Sequence, residues 1–182
     1  MDIQAEFIGA VYSGNVAYAR ELLGKGAQIG QDEILHCAAE RGDVEMLKFL
    51  LESGGMAFID QFDSLAFTPL TYAAIEGHLP AMKLLLEAGA NVNAVDCKSI
   101  GNTALREVVG DGNLEVIEVL LRAGADPHIP GWMQMTALDT AKNQWENVKS
   151  ERGQKVLELL RSKHTEAEKI LSKHKPGRSK RR

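Results

Sequence analysis

Paired leucines punctuate the chain at Leu22-Leu23, Leu50-Leu51, Leu85-Leu86, Leu120-Leu121 and Leu159-Leu160. Eight residues ahead of each of the first four pairs stands a glycine: Gly14, Gly42, Gly77 and Gly112. Seven residues before that glycine is an apolar residue, in turn Phe7, Leu35, Leu70 and Leu105. A further glycine follows each of these pairs, at Gly24, Gly54, Gly89 and Gly124. A frame that returns in four units marks an internal repeat, and its apolar spacing predicts two short helices per unit.

The residue types fit those helices. Ala38-Ala39, Ala73-Ala74 and Val108-Val109 put short side chains on the first helix, where neighbouring units must approach closely. The turn glycine ends that helix, because it accepts the left-handed conformation that a side chain disfavours. Asn15, Asp43, His78 and Asn113 come next, and Asn and Asp are strong N-caps for a second helix. Glu45 and Glu115 in its first turn favour the helix dipole, and Pro80 takes the same place at little cost. The second helix is expected to bury one stripe: Val44, Leu47, Leu50, Leu51, then Leu79, Met82, Leu85, Leu86, then Leu114, Ile117, Leu120, Leu121. A ten-residue helix with one such stripe is marginal alone, so stacked copies must cover it.

Specific motifs then resemble the ankyrin-repeat family. Thr68-Pro69-Leu70 is similar to that family's opening, and Leu35-His36-Cys37-Ala38-Ala39 to its Leu-His-x-Ala-Ala. Gly77-His78 through Ala88-Gly89-Ala90-Asn91-Val92-Asn93-Ala94 follows its pattern, as does Ala123-Gly124-Ala125-Asp126-Pro127. The likeness spans about residues 5–162. It implies an all-α solenoid of about five helix-turn-helix units, joined by β-hairpin fingers, with a concave face that binds protein. The expected divisions are an N-terminal capping repeat at 1–30 and repeats at 31–60, 61–95 and 96–130. An irregular C-terminal capping repeat follows at 131–163, then a helical and finally disordered basic tail at 164–182.

Two departures matter. Phe7 to Leu35 is 28 residues, whereas the next two intervals are 35, against about 33 in a family unit. The first connection therefore lacks most of a finger. In the last unit, opened by Thr136-Ala137-Leu138-Asp139-Thr140-Ala141, the leucine pair comes 21 residues after Leu138 instead of 15. The segment 143–154, with Trp145 and Gly153, is expected to lengthen the first helix and its turn. The last helix is expected to run on past Ala167, Ile170 and Leu171, giving way near Pro176-Gly177.

Composition changes this picture in one respect. Hydrophobic residues at 45% and charged residues at 25% fit a folded chain, and aromatics at 5% leave an aliphatic core. The net charge of −4, however, conceals an asymmetry. Residues 173–182 carry six basic side chains (Lys173, Lys175, Arg178, Lys180, Arg181, Arg182) and no acidic one, so the other 172 residues hold 15 Lys+Arg against 25 Asp+Glu. An acidic body carries a basic tail. Met1 to Phe7 lacks the pattern of a secretory signal, and no apolar run approaches the roughly 20 residues of a membrane span. Cys37 and Cys97 lack metal spacing and are expected to be reduced and partly buried. A cytoplasmic monomer is expected, with a nuclear location if the tail is a targeting signal.

No phosphate loop, nucleophile elbow or His-Glu-x-x-His site is present, so no enzyme, cofactor or metal function is expected. His36 is expected to hydrogen-bond within its repeat, His78 to sit at a helix start and His128 in a finger, with His164 and His174 in the polar tail. The resemblance implies that the two positions before each turn glycine face the concave side: Tyr12-Ser13, Glu40-Arg41, Ile75-Glu76 and Gly110-Asp111. Asp32, Asp60, Phe62, Asp63, Phe67, Asp96 and Asn102 flank them in the fingers. Their carboxylates either keep the surface soluble or steer a partner protein with a basic surface. In the final finger, 128–135, Trp132 and Met135 have the composition of a binding hot spot. Trp132 alternatively folds back near Trp145 in the cap, and that reading is preferred. The expected partner-binding set is thus Tyr12, Glu40, Arg41, Phe67, Ile75, Glu76, Asn102, Asp111, Trp132 and Met135. The tail either contacts nucleic acid or chromatin, touches an anionic membrane, or is a solubilising end.

Overall fold

The structure is a computed structural model that describes residues 2–30, 33–96, 101–145 and 150–173, with 163–173 as backbone only. Its helices come in five pairs: α1 (Ile3–Tyr12) with α2 (Val16–Gly24), α3 (Ile34–Glu40) with α4 (Val44–Glu52), α5 (Pro69–Ile75) with α6 (Leu79–Glu87), α7 (Ala104–Val108) with α8 (Leu114–Arg122), and α9 (Ala137–Trp145) with α10 (Glu151–Lys173). First helices stack on first helices in the order α1, α3, α5, α7, α9, and second helices on second helices in the order α2, α4, α6, α8 and α10. Between α3 and α5 the contact is more extensive than between α4 and α6. The stack is therefore tighter along its first-helix layer, where alanines Ala38, Ala39, Ala73 and Ala74 are buried.

The turn within each of the first four helix pairs rests on a glycine with positive φ: Gly14 at 71°, Gly42 at 65°, Gly77 at 73° and Gly112 at 66°. These glycines also solve a second problem. A Cβ on Gly42 would stand 2.6 Å from the His78 ring, and one on Gly14 would stand 3.0 Å from the Asp43 carboxylate. On Gly112 it would meet Arg152 and Trp145 at 3.0 Å. The Gly42 turn thus lies directly beneath the following repeat at a separation that a side chain would prevent, and those of Gly14 and Gly112 are tight against it, whereas at Gly77 a Cβ would stand 3.4 Å from Asn113.

Capping follows the expected residues with one exception. Asn15, Asp43 and Asn113 accept from the amides of Tyr18, Met46 and Val116, and Thr68 and Thr103 cap α5 and α7. His78 makes no cap; its Nε2 pairs instead with the Glu40 carbonyl of the preceding repeat at 2.9 Å. His36 likewise departs from expectation, because its Nε2 bonds the Gln61 carbonyl, 2.8 Å away in the connection to the next repeat.

The core corrects the expected stripe. Met46, Leu47, Leu50 and Leu51 are buried in α4, as are Ala81, Met82 and Leu85 in α6 and Val116, Ile117, Leu120 and Leu121 in α8. Val44 is exposed, and Leu79, Leu86 and Leu114 are half-buried. In α4, α6 and α8 the first residue is less buried than the one two places later, Met46, Ala81 or Val116, although Leu79 and Leu114 still pack against the edge of the core. After the second helices the positive-φ glycines are Gly26, Gly54, Gly89 and Gly124, all three residues past the leucine pair. Gly24, expected in that role, is the last residue of α2.

The connections between repeats contain turns and short 3-10 segments at Gly55–Phe58 and Trp132–Gln134, with no strand among the described residues. Side chains tie successive loops together. Asp60 accepts from the Asn91 amide at 2.8 Å. Asn93 accepts from the Asp126 amide at 2.8 Å and donates to the Gly124 carbonyl at 3.1 Å. Asn102 accepts from the Trp132 amide at 2.9 Å. At the start of the stack, Gln4 and Gln28 exchange two hydrogen bonds of 2.9 and 3.0 Å.

Of the expected insertion at 143–154, residues 146–149 lie outside the described residues. Helix α9 has 9 residues against 5 to 7 in α3, α5 and α7, and α10 continues to Lys173. Trp145 lies across Gly153, where a Cβ would stand 2.8 Å from its ring. Ala141, Val156, Leu157 and Leu160 are buried behind it.

Candidate protein-interaction face

The repeat frame brings equivalent positions into one row at the C-terminal ends of the first helices. Tyr12 is 51% exposed, and Glu40, Arg41, Glu76 and Asp111 are exposed beside it in successive repeats. Glu40, Glu76 and Asp111 join none of the ion pairs found among the described residues, all of which link neighbours within a second helix or its end. Ile75 is half-buried against the core and Gly110 half-buried, so the apolar part of the row is small.

The electrostatics of this row are acidic. Partial burial and the neighbouring Cys37, Glu33 and Glu40 push the Tyr12 phenol up from its ordinary value. Tyr72, which the sequence frame did not single out, is raised further by burial, by its hydrogen bond to Asp63 and by Glu40 and Glu33. Its hydroxyl donates to Asp63 at 2.6 Å, and its ring meets Phe67 and His36 edge-on at 5.6 and 6.0 Å. A signal for it existed: Tyr72 occupies the place after Leu70-Thr71 that Cys37 occupies after Leu35-His36. Burial also pushes the Cys37 thiol up, which disfavours its thiolate form.

Several expected contact residues also serve the fold. Asp63 accepts from the Leu65 and Phe67 amides as well as from Tyr72, shaping its loop. Phe67 is half-buried on Tyr72. Asp60 and Asn102 are the loop ties described above, and Asn102 also donates to Glu107 at 2.5 Å. Phe62, Asp96 and Met135 are half-buried.

Trp132 overturns the preferred reading. It is 52% exposed and Met133 68% exposed, while Trp145 alone packs into the last repeat. Trp132 and Trp145 therefore have separate roles, one on the surface and one in the cap. Asp32, Cys97 and 174–182 lie outside the described residues, as do the side chains of His164 and Lys173. Among the described residues no helix is long and apolar enough to cross a membrane, and no group of three or more His, Cys, Asp and Glu could hold a metal ion.

Two family models match the chain. Ankyrin repeats (3 copies) cover residues 7–96, and ankyrin repeats (many copies) cover residues 70–141. The chain belongs to the ankyrin-repeat family. The two matches run together across every helix pair from α1–α2 to α7–α8 and into α9. Comparison with curated proteins found no match. Ankyrin repeats generally mediate protein–protein interaction, and proteins built from them are typically non-enzymatic scaffolds.

Proposed function

We propose that this ankyrin-repeat chain is a non-enzymatic scaffold that captures one partner protein with a basic surface on its first-helix face and adjoining loops. One observation carries the reading. Each of three successive repeats has an exposed carboxylate at one of the two positions before its turn glycine, Glu40, Glu76 and Asp111, in none of the ion pairs among the described residues and beside the exposed Tyr12 and Arg41. Carboxylates spread along successive repeats attract a basic segment over several repeats at once and speed its encounter. The aromatic surface at Tyr12 and the half-buried Phe67 supplies apolar contact beside those charges. In this reading the chain acts as a cytoplasmic monomer.

Reversal of the row tests the proposal. The immobilised full chain and its Glu40→Lys, Glu76→Lys, Asp111→Lys variant are presented with the same cell extract, and retained proteins are compared by mass spectrometry. A protein kept by the first and lost by the second supports the proposal, provided the helical circular dichroism of the two coincides. Identical retained sets would show that binding uses another surface.

A further inference from the structure

Arg106, in α7, is a buried cation with no acidic side chain paired to it among the described residues. The residue is 9% exposed, and its Nη1 has no hydrogen-bond partner. Its Nε reaches only the Thr140 hydroxyl, at a long 3.4 Å. The ion pairs among the described residues are exposed, and none includes Arg106. Two acidic side chains of this end of the stack are engaged elsewhere: Glu107 accepts from Asn102, and Asp139 from Thr136. A buried guanidinium without a counter-charge is costly, and such a group calls for an ion or ligand to complete it.

What covers it is a loop rather than a helix. A Cβ on Gly131 would stand 2.9 Å from Nη1 and 2.4 Å from Asn102 Oδ1, so the loop closes over the guanidinium only with glycine there. Beyond Gly131, Met133 and Gln134 take φ of 58° and 59°, a left-handed conformation that neither residue type favours. The loop is tied to the segment beneath by the Trp132 amide on Asn102. It holds Trp132 and Met133 out in solvent. Lifting this cover relaxes two disfavoured residues and uncovers a fork of donors beside two exposed apolar side chains.

We propose that Arg106 takes the carboxylate of an Asp or Glu side chain of a partner protein, admitted beneath the 129–135 loop, with Trp132 and Met133 forming the apolar flank. The planar guanidinium suits a carboxylate, which can accept two parallel N–H bonds from it. This site is at the opposite end of the stack from Tyr12 and has the opposite charge preference, so it stands or falls apart from the acidic row.

The test uses the ¹⁵N-labelled full chain and two probes, N-acetylglutamate amide and its neutral isostere N-acetylglutamine amide, at constant ionic strength. The Arg106 Nε–H and Trp132 indole N–H resonances are followed by NMR. Saturable shifts of both with the glutamate probe, and none with the glutamine probe, are expected. Arg106→Lys keeps the charge but loses the fork, and should weaken saturation at the Trp132 resonance by about tenfold or more. Arg106→Gln should abolish it, with circular dichroism reporting whether that variant still folds. Shifts without saturation overturn the proposal, as does unchanged saturation in Arg106→Lys. Tighter saturation by phenyl phosphate than by the glutamate probe overturns the choice of carboxylate.

Discussion

The indole of Trp145 donates to the Val109 carbonyl at 2.9 Å, fastening the last repeat to the turn of the one before it. Val109 is fully buried, so no water replaces the indole if it is removed. Trp145→Phe keeps most of the ring contact with Gly112 and Gly153 but leaves that carbonyl unpaired. The expected loss is about 1–3 kcal/mol in urea unfolding. Because repeats in a stack are stabilised by their neighbours, the C-terminal helices should lose amide-exchange protection before the rest. A variant as stable as the parent would mean that the hydrogen bond contributes nothing.

The displaced core stripe gives a paired prediction. Met46 is fully buried and Val44 is 36% exposed, although both are apolar residues of α4. Met46→Ala should cost about 2–5 kcal/mol by opening a cavity between repeats, whereas Val44→Ser should stay within about 1 kcal/mol. Leu85→Ala, at a fully buried site in α6, belongs with the first. Thermal or urea unfolding of the three variants checks the order, and equal losses at 44 and 46 would contradict the burial.

How far the sequence revealed the fold is clear from these same residues. Turn glycines were legible because a positive φ restricts the residue type, and Asn and Asp caps because their oxygen reaches a local amide. The first position of the stripe was misplaced by two residues because Val44, Leu79 and Leu114 are as apolar as the residues buried in their stead, while its other positions were legible except Leu86. The glycine after the first leucine pair was assigned to Gly24 because it comes first; the three-residue offset shared by Gly26, Gly54, Gly89 and Gly124 identifies the right one. The exposure of Trp132, the bond of His36 to Gln61 and the tie of Asn102 to Trp132 depend on residues 25 or more positions away. No local pattern encodes such pairs. The acidic row was visible as the two positions before each turn glycine, but which carboxylates the fold engages internally, such as Asp60 and Asp63, was not.

Asn93 links two loops through both ends of its side chain, to the Asp126 amide and the Gly124 carbonyl. Asn93→Ala breaks both bonds and should cost about 1–3 kcal/mol. Asn93→Asp keeps the acceptor and should recover part of that loss. Hydrogen exchange at the Asp126 amide is the direct readout: it should accelerate in the alanine variant and much less in the aspartate one.

Asp139 carries a pH dependence. Hydrogen bonds from the Thr136 hydroxyl and amide hold its carboxyl below the ordinary aspartate value of 3.8. A carboxylate depressed on folding contributes stability above its unfolded value, and that contribution is lost as pH falls through the folded one. Unfolding followed from pH 5 down to about pH 2 should therefore show a loss in the parent that is smaller in Asp139→Asn. Parallel curves for the two proteins would remove Asp139 from the acid response.

The loop ties at Asp60, Asn93 and Asn102 have a mechanical consequence. Directional hydrogen bonds fix the distance from each loop to the next, while the second helices of successive repeats meet through apolar contacts that tolerate sliding. An array bound along one edge flexes about that edge as pages turn about a spine. Curvature of the stack is thus its soft coordinate, and the spacing of the loops its stiff one.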